Sequence, residues 1–381
     1  MDDLTHILIE AGKNELDCGM QPKGAVMSSS IKEGDRIVDG QIDYGRVFVT
    51  FTRHTEEKIS HGLIFESLLH ALKERGVVLK DGKPTTLVDL GCGDGHTASE
   101  MIEAINRVHP QGDGVNYYGL DEDEAFLRCT ERLLLELKGP QRLRMIDVRR
   151  ADVLRGEPLP IPQIDNVLAT MGHVLYYARS SKGPDETRKN IARIIDCILG
   201  LLGRDGICIL VHSAQNCALA TLRASVADSV EAKPVRIVAD VADKKRLVVM
   251  SLIAPFQLWF PRLTPAQWDK TKEPTSYRVE SSNDPQFLAT LELLTFVAQR
   301  SLKSLVQEGQ LERFVDALRS QLDGNAILHG LSDYQILLPQ RQSSELKACV
   351  EAALQQTAQS LDRIVQEARR AFALQAKDLA Q

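Results

Sequence analysis

The chain reads as an α/β protein: a Rossmann-like, doubly wound, mostly parallel sheet with an N-terminal helical cap and a long C-terminal helix. Three observations predict this. Thr86-Leu-Val-Asp-Leu-Gly-Cys-Gly-Asp-Gly-His-Thr97 is a short apolar run that ends in a G-x-G-x-G turn and passes into helical spacing. Further short apolar runs ending in polar residues follow it, separated by amphipathic stretches of helix length, the alternation that builds parallel sheets. Residues 343–380 then carry one uninterrupted helical pattern.

Taken in order, residues 1–43 have weak periodicity, with Leu4, Ile7, Leu8 and Leu16 spaced for a short amphipathic helix and a Ser/Gly-rich loop over 24–40. They read either as a cap over a pocket or as a poorly ordered terminus. From Tyr44 to Arg75 the apolar residues Val47, Phe48, Phe51, Ile59, Leu63, Leu68 and Leu72 keep one helical face. Within it lies a polar cluster, Thr52-Arg-His-Thr-Glu-Glu-Lys58, which is either a solvated helix end or a place where Glu56 or Glu57 reaches a cationic amine.

Leu87 to Leu90 form the first strand. Gly91, Gly93 and Gly95 accept positive φ and admit a ligand close to the backbone. The helix from about His96 to Val108 aims its free N–H groups at that ligand. The second strand, Val115–Asp121, ends in an acid suited to ribose hydroxyls. Asp152 follows a third strand near 143–148 and suits an adenine amino group. The fourth strand, 164–171, brings Thr170 and Met171 to the same edge, and the fifth spans 206–212. Helices are expected over 122–137 and 185–202.

The segment after strand four, Met171-Gly-His-Val-Leu-Tyr-Tyr177, falls where doubly wound sheets bind ligands. His173 there reads as functional, Tyr176 as a positioning hydroxyl and Tyr177 as packing. Residues 245–253 are a strand-like run. Trp259, Phe260 and Trp268 sit in an irregular stretch near 255–285, an insertion that either lines an aromatic pocket or packs a surface. Helices over 287–302 and 310–322 precede a last strand, 326–338, expected antiparallel at the sheet edge. In the terminal helix Leu346, Val350, Ala353, Thr357, Leu361, Ile364, Ala368 and Phe372 make a seam that packs on its own domain or on a second copy. The expected division is a cap over 1–83, a ligand-binding domain over 84–340 and the terminal helix over 341–381.

Bulk properties narrow the classes. The 381 residues carry a net charge of −6, 43% hydrophobic and 26% charged residues, an ordinary globular composition without the basic face of a general nucleic-acid binder. The seven cysteines have no C-x-x-C spacing, so neither a zinc site nor a disulfide framework is expected, and free thiols fit a reducing cytoplasm. The start lacks a basic n-region, and no apolar stretch is long enough to span a membrane.

The order of glycine loop, Asp121, Asp152 and strand four resembles the class I S-adenosylmethionine (SAM) methyltransferases; a dinucleotide fingerprint would place its third glycine one residue later. Several segments are also similar to the histamine N-methyltransferase-type branch. These are the Phe-x-x-Phe and His-Thr-Glu-Glu of 44–58, His173-Val-Leu-Tyr-Tyr177, the helix 287–302 and the strand 326–338. That branch has glutamine at the position of His173 and asparagine about where His329 stands, and it has no counterpart of the terminal helix. The resemblance implies SAM as cofactor, held by Asp89, Gly91, Gly93, Gly95, Asp121, Asp152, Thr170 and Met171, with S-adenosylhomocysteine as product. It implies a small-molecule amine or amino-acid-like acceptor other than histamine. His173 is then the base, Glu56 or Glu57 the acidic partner and Tyr176 a positioning group. Two alternatives use the same pocket: reaction of the aminocarboxypropyl arm with release of methylthioadenosine, and a non-catalytic SAM-binding protein.

Overall fold

Both faces of the glycine-loop strand are apolar, and its neighbours share this, so the sheet they form must be covered on both sides. In the computed structural model, β1 (Thr85–Leu90), β2 (Val115–Asp121), β3 (Leu143–Arg150), β4 (Val167–Gly172), β5 (Ile207–Ser213), β6 (Leu247–Trp259) and β7 (Ile327–Pro339) form one sheet in the order β3-β2-β1-β4-β5-β7-β6. The structure describes residues 44–137, 142–153, 159, 161, 167–172, 174–178, 184–203, 206–214, 217–226, 234–273, 284–340 and 344–378. Residues 1–43 of the expected cap and His173 lie outside the described residues, as do the side chains of Tyr176 and Tyr177.

Strands β1 to β5 pair in parallel, and β7 pairs antiparallel with both β5 and β6. Every residue of β1 and β5 is buried, which is why both read as continuous apolar runs rather than as alternation. The last strand was expected at the sheet edge. It lies instead between β5 and β6, with Ile336, Leu337 and Leu338 fully buried, and β6 is the edge. Strand β6 also runs on to Trp259, so part of the stretch read as irregular is sheet.

The helices are α1 (Tyr44–Arg53), α2 (Glu57–Glu74), α3 (His96–Val108), α4 (Glu124–Glu136), α5 (Pro184–Leu202), α6 (Ala218–Val226), α7 (Pro234–Lys244), α8 (Pro265–Lys270), α9 (Pro285–Ala298), α10 (Leu302–Gln307), α11 (Leu311–Gln321) and α12 (Ser344–Asp378). One sheet face packs on α2 and α3, with Leu68, Leu72, Ile102 and Ile105 against Leu87, Ile209 and Ile336. The other packs on α5 and α7, with Ile194, Ile198 and Val238 against Val88, Leu210 and Leu337. A third core gathers α1, α6 and α8 to α11 around Phe256, Leu258 and Leu328, where β6 and β7 extend past the rest of the sheet. Phe51 stacks on Phe296 with centroids 3.8 Å apart. Trp268 is buried beside Phe260, and Trp259 stacks on Phe372 of α12 at 4.6 Å, so both tryptophans serve packing.

The expected single helical face over 44–75 is broken in two. The break falls in the polar cluster, where the Trp259 amide donates to the His54 carbonyl at 2.8 Å and Thr55 bridges to Leu258. The terminal seam is used within the chain: Val350, Ala353, Leu354 and Ile364 join the core that contains Leu68 and Leu72 of α2. Among the described residues no helix is long and apolar enough to cross a membrane.

Candidate functional site

The carboxyl edge of the parallel strands is assembled around the glycine turn. Gly91, Gly93 and Gly95 have φ of +80°, +56° and +86°, a region that side chains with a Cβ rarely adopt. Two of them are also packed tight. A Cβ on Gly91 would meet Val174 Cγ2 at 2.3 Å, and one on Gly95 would meet the Thr130 backbone at 2.7 Å. Gly93 differs, because nothing lies within 4 Å of its Cβ position. The middle of the turn is therefore open at the start of α3, whose first amides have no partner within the helix.

Asp121, at the end of β2, lies against the turn. Its Oδ2 accepts from the Gly93 amide at 3.0 Å and its Oδ1 from the Asp123 amide at 3.0 Å. Thr130 Oγ1 donates to the Gly93 carbonyl at 2.7 Å, fixing the turn from α4. Burial raises the Asp121 carboxyl above its ordinary range, opposed by these amides. The Ala151 amide donates to the Asp121 carbonyl at 2.9 Å, which sets Asp152 beside Asp121 at the strand ends.

Beneath the turn, Asp89 Oδ1 accepts from Thr170 Oγ1 at 3.1 Å and Oδ2 from the Tyr117 hydroxyl at 3.3 Å. Burial pushes the Asp89 carboxyl up to about 6, with those two bonds pulling the other way. Thr170 and Met171 are almost wholly buried. Asp89 and Thr170 thus brace β1 against β4 from below, and the sequence alone does not reveal that pairing. Asp94 in the turn lies 3.6 Å from Lys58 of α2; burial acts to raise its carboxyl, but Lys58 and His96 hold it below the ordinary range.

The two candidate glutamates separate. Glu56 is fully buried and accepts from the Gln257 amide of β6 at 3.0 Å through both oxygens, with Arg369 of α12 at 3.4 Å. These contacts engage it in joining elements. Glu57 accepts from the Ser332 hydroxyl of β7 and has His61 Nε2 at 3.6 Å; Ser332 pairs with Ser213 at the end of β5. Of the two, Glu57 is the one at the carboxyl edge. His329 is an exposed residue 3.2 Å from Asp323, remote from the glycine turn in the sheet order.

Sequence reasoning missed a second polar group on the sheet. His212 at the end of β5 lies across from Asp333 of β7, its Nε2 3.9 Å from Asp333 Oδ2, and Gln335 Nε2 donates to the same Oδ2 at 3.1 Å. The signal was present in the alternation Asp333, Gln335 within an otherwise apolar run.

No family model matches the chain, and no curated protein matches it. Solved structures with a similar fold include loganic acid methyltransferase with SAH, at 11% identity over 75% of this chain and 94% of that one, TM-score 0.42. The plantazolicin methyltransferase BpumL in complex with SAH matches at 12% identity over 80% and 93%, TM-score 0.36. The cyclase SpnF matches at 15% identity over 72% and 81%, TM-score 0.34. At such values nothing about ligand or activity carries over to this chain.

Proposed function

We propose that the chain is a SAM-dependent methyltransferase that acts on a small-molecule amine or amino-acid-like acceptor. The observation that carries this reading is the open Gly93 turn with the Asp121 carboxyl across it. The amino end of α3 faces this strand edge, with its His96 amide now held by Asp94 Oδ1 at 3.2 Å, and its positive dipole end suits a carboxylate; Asp121 suits vicinal hydroxyls and Asp152 an amino group. A group bearing all three chemistries along one strand edge is what SAM is, so the residues present fit it.

In this reading Gly91, Gly93 and Gly95 hold the amino-acid end of the cofactor, Asp121 the ribose and Asp152 the adenine. Thr170 and Met171 form the floor at β4, and Asp89 keeps that floor in register with β1. When bound, the cofactor supplies a methyl carbon activated by a sulfonium. The protein's own part is then alignment of the acceptor with that carbon and removal of the acceptor's proton. His173, in the segment after β4, is assigned the proton and Tyr176 the positioning of the acceptor. Glu57, through Ser332, holds the neighbouring edge at β7.

The test is mass spectrometry of the products after purified protein is incubated with SAM, alone and with a panel of amines and amino acids. S-adenosylhomocysteine formed only with an acceptor is the expected result. Methylthioadenosine formed from SAM alone would mean that the carbon arm reacts, and no turnover with any acceptor would leave a binding protein.

A further inference from the structure

His212, Asp333 and Gln335 are each more than nine-tenths buried, and His212 Nε2, Asp333 Oδ1 and Gln335 Oε1 lack a hydrogen-bond partner among the described residues. Buried polar atoms are seldom left so, and three on neighbouring positions are a feature that needs a cause. The hydrogen bonds already made fix what the open atoms offer. His212 Nδ1 lies 3.1 Å from the Ser213 carbonyl, which only accepts, so Nδ1 carries a hydrogen, and with a single ring hydrogen Nε2 is left as an acceptor. Gln335 turns its amide nitrogen to the Asp333 carboxylate, so its open atom is the carbonyl oxygen. The third open atom is a carboxylate oxygen. The cluster therefore has three open acceptor atoms, one of them on a carboxylate, against the one remaining N–H of the Gln335 amide.

Its location is also informative. Asp333 and Gln335 alternate with Leu337, and His212 with Leu210 and Cys208; those three apolar residues belong to the core that includes Met171 and Leu175. The cluster thus shares its sheet face with the end of β4 and the turn after it. In register, Gly172 of β4 pairs with Val211, one residue before His212, so the cluster sits one to two strand spacings of roughly 5 Å from the end of β4. On the other side the same rungs continue on edge strand β6 as Ile253 and Ser251, both exposed, so the group is one strand in from solvent.

We propose that His212, Asp333 and Gln335 form the subsite that recognises a protonated amine or guanidinium on the acceptor. An ammonium brings several N–H donors and a positive charge to a site whose open atoms are acceptors, one of them a carboxylate oxygen; an alcohol brings one donor and no charge, and a carboxylate brings none. This rests on the methyl-transfer reading for the identity of the ligand, but the preference for cations follows from the cluster alone.

The test is calorimetric titration of the full-length protein saturated with S-adenosylhomocysteine. The titrants are a library of small amines, amino acids and guanidines, each beside its neutral hydroxyl or amide isostere. Wild type should bind at least one cation at least tenfold more tightly than its isostere. Asp333→Asn and His212→Asn should each remove that preference while S-adenosylhomocysteine affinity, the check on folding, stays within twofold. A preference that survives both substitutions, equal binding of the neutral isosteres, or no binder in the library overturns the subsite. If wild type does not bind S-adenosylhomocysteine, the methyl-transfer reading falls, and the same titration on the protein alone still decides the cation preference.

Discussion

Glu56 should make the protein less stable as the solution becomes less acid, and Glu56→Gln should abolish that dependence. The side chain is fully buried, and burial pushes its carboxyl up to about 7 against the opposing pull of the Gln257 amide and Arg369. Below about pH 4.5 the group is protonated both folded and unfolded and contributes nothing. Between there and about 7 the unfolded chain releases the proton while the folded chain keeps it, so unfolding gains; above 7 the loss is complete. A carboxyl titrating near 7 when folded and near 4.5 when unfolded costs about 3 kcal/mol once ionised in both states. Glutamine keeps an oxygen for the Gln257 amide and carries no charge. Urea unfolding at pH 5, 6, 7 and 8 should therefore show Glu56→Gln gaining on wild type by about 2.5 kcal/mol across the series. Arg369→Met should enlarge the wild-type slope, since it removes a cation that favours the ionised acid. Parallel stability curves for wild type and Glu56→Gln would refute the reasoning, and loss of turnover at constant SAM affinity would return Glu56 to the reacting site.

Three further outcomes follow from the same geometry. Gly93→Ala should fold at a cost of roughly 1 kcal/mol for its positive φ, yet lose most of its SAM affinity in calorimetry, because its Cβ enters the open space in the middle of the turn; Gly91→Ala, which meets Val174, should lose stability as well. Unchanged affinity in Gly93→Ala would take the turn out of the ligand site. Asp121→Ala should weaken SAM binding by about 1–3 kcal/mol, the scale for polar groups left unpaired, and an unaltered dissociation constant would remove Asp121 from the cofactor. Ile364→Ala on α12 should cost about 2–4 kcal/mol of unfolding free energy without changing the sedimentation coefficient, since its seam packs on α2; a change in mass instead would show that the helix joins two copies.

What could be read from the sequence, and what could not, divides by how local the cause is. Strands β1, β2 and β5 are legible because their burial on both faces writes itself into continuous apolar runs, and the positive-φ glycines mark the turn by residue type alone. The insertion of β7 between β5 and β6 is not legible, since a strand's own residues look the same in either place. The break between α1 and α2 was read as a helix end or a ligand-facing patch. Its cause is the tip of β6, two hundred residues away in sequence, offering the Trp259 amide to His54. His212, Asp333 and Gln335 went unseen for a similar reason: a polar residue in a strand signals a site only once it is known that both faces of that strand are covered.

That break explains why a short polar run is embedded in a core-facing helical pattern. Three consecutive residues there each grip a different part of the molecule. Glu56 holds the Gln257 amide of β6 and Arg369 of α12, Glu57 holds Ser332 of β7, and Lys58 reaches Asp94 in the glycine turn. Glu56 is the N-cap and Glu57 and Lys58 the first two residues of α2, so all three side chains leave the chain at the point where it turns from α1 into α2. The joint therefore ties the edge strands, the terminal helix and the turn at α3 into one unit. Helix α12 bears on the joint through Arg369, which lies 3.4 Å from Glu56 and, after the Gln257 amide, favours its ionised form. A charge buried at the joint is costly on its own, and the opposing Arg369 is what that cost requires.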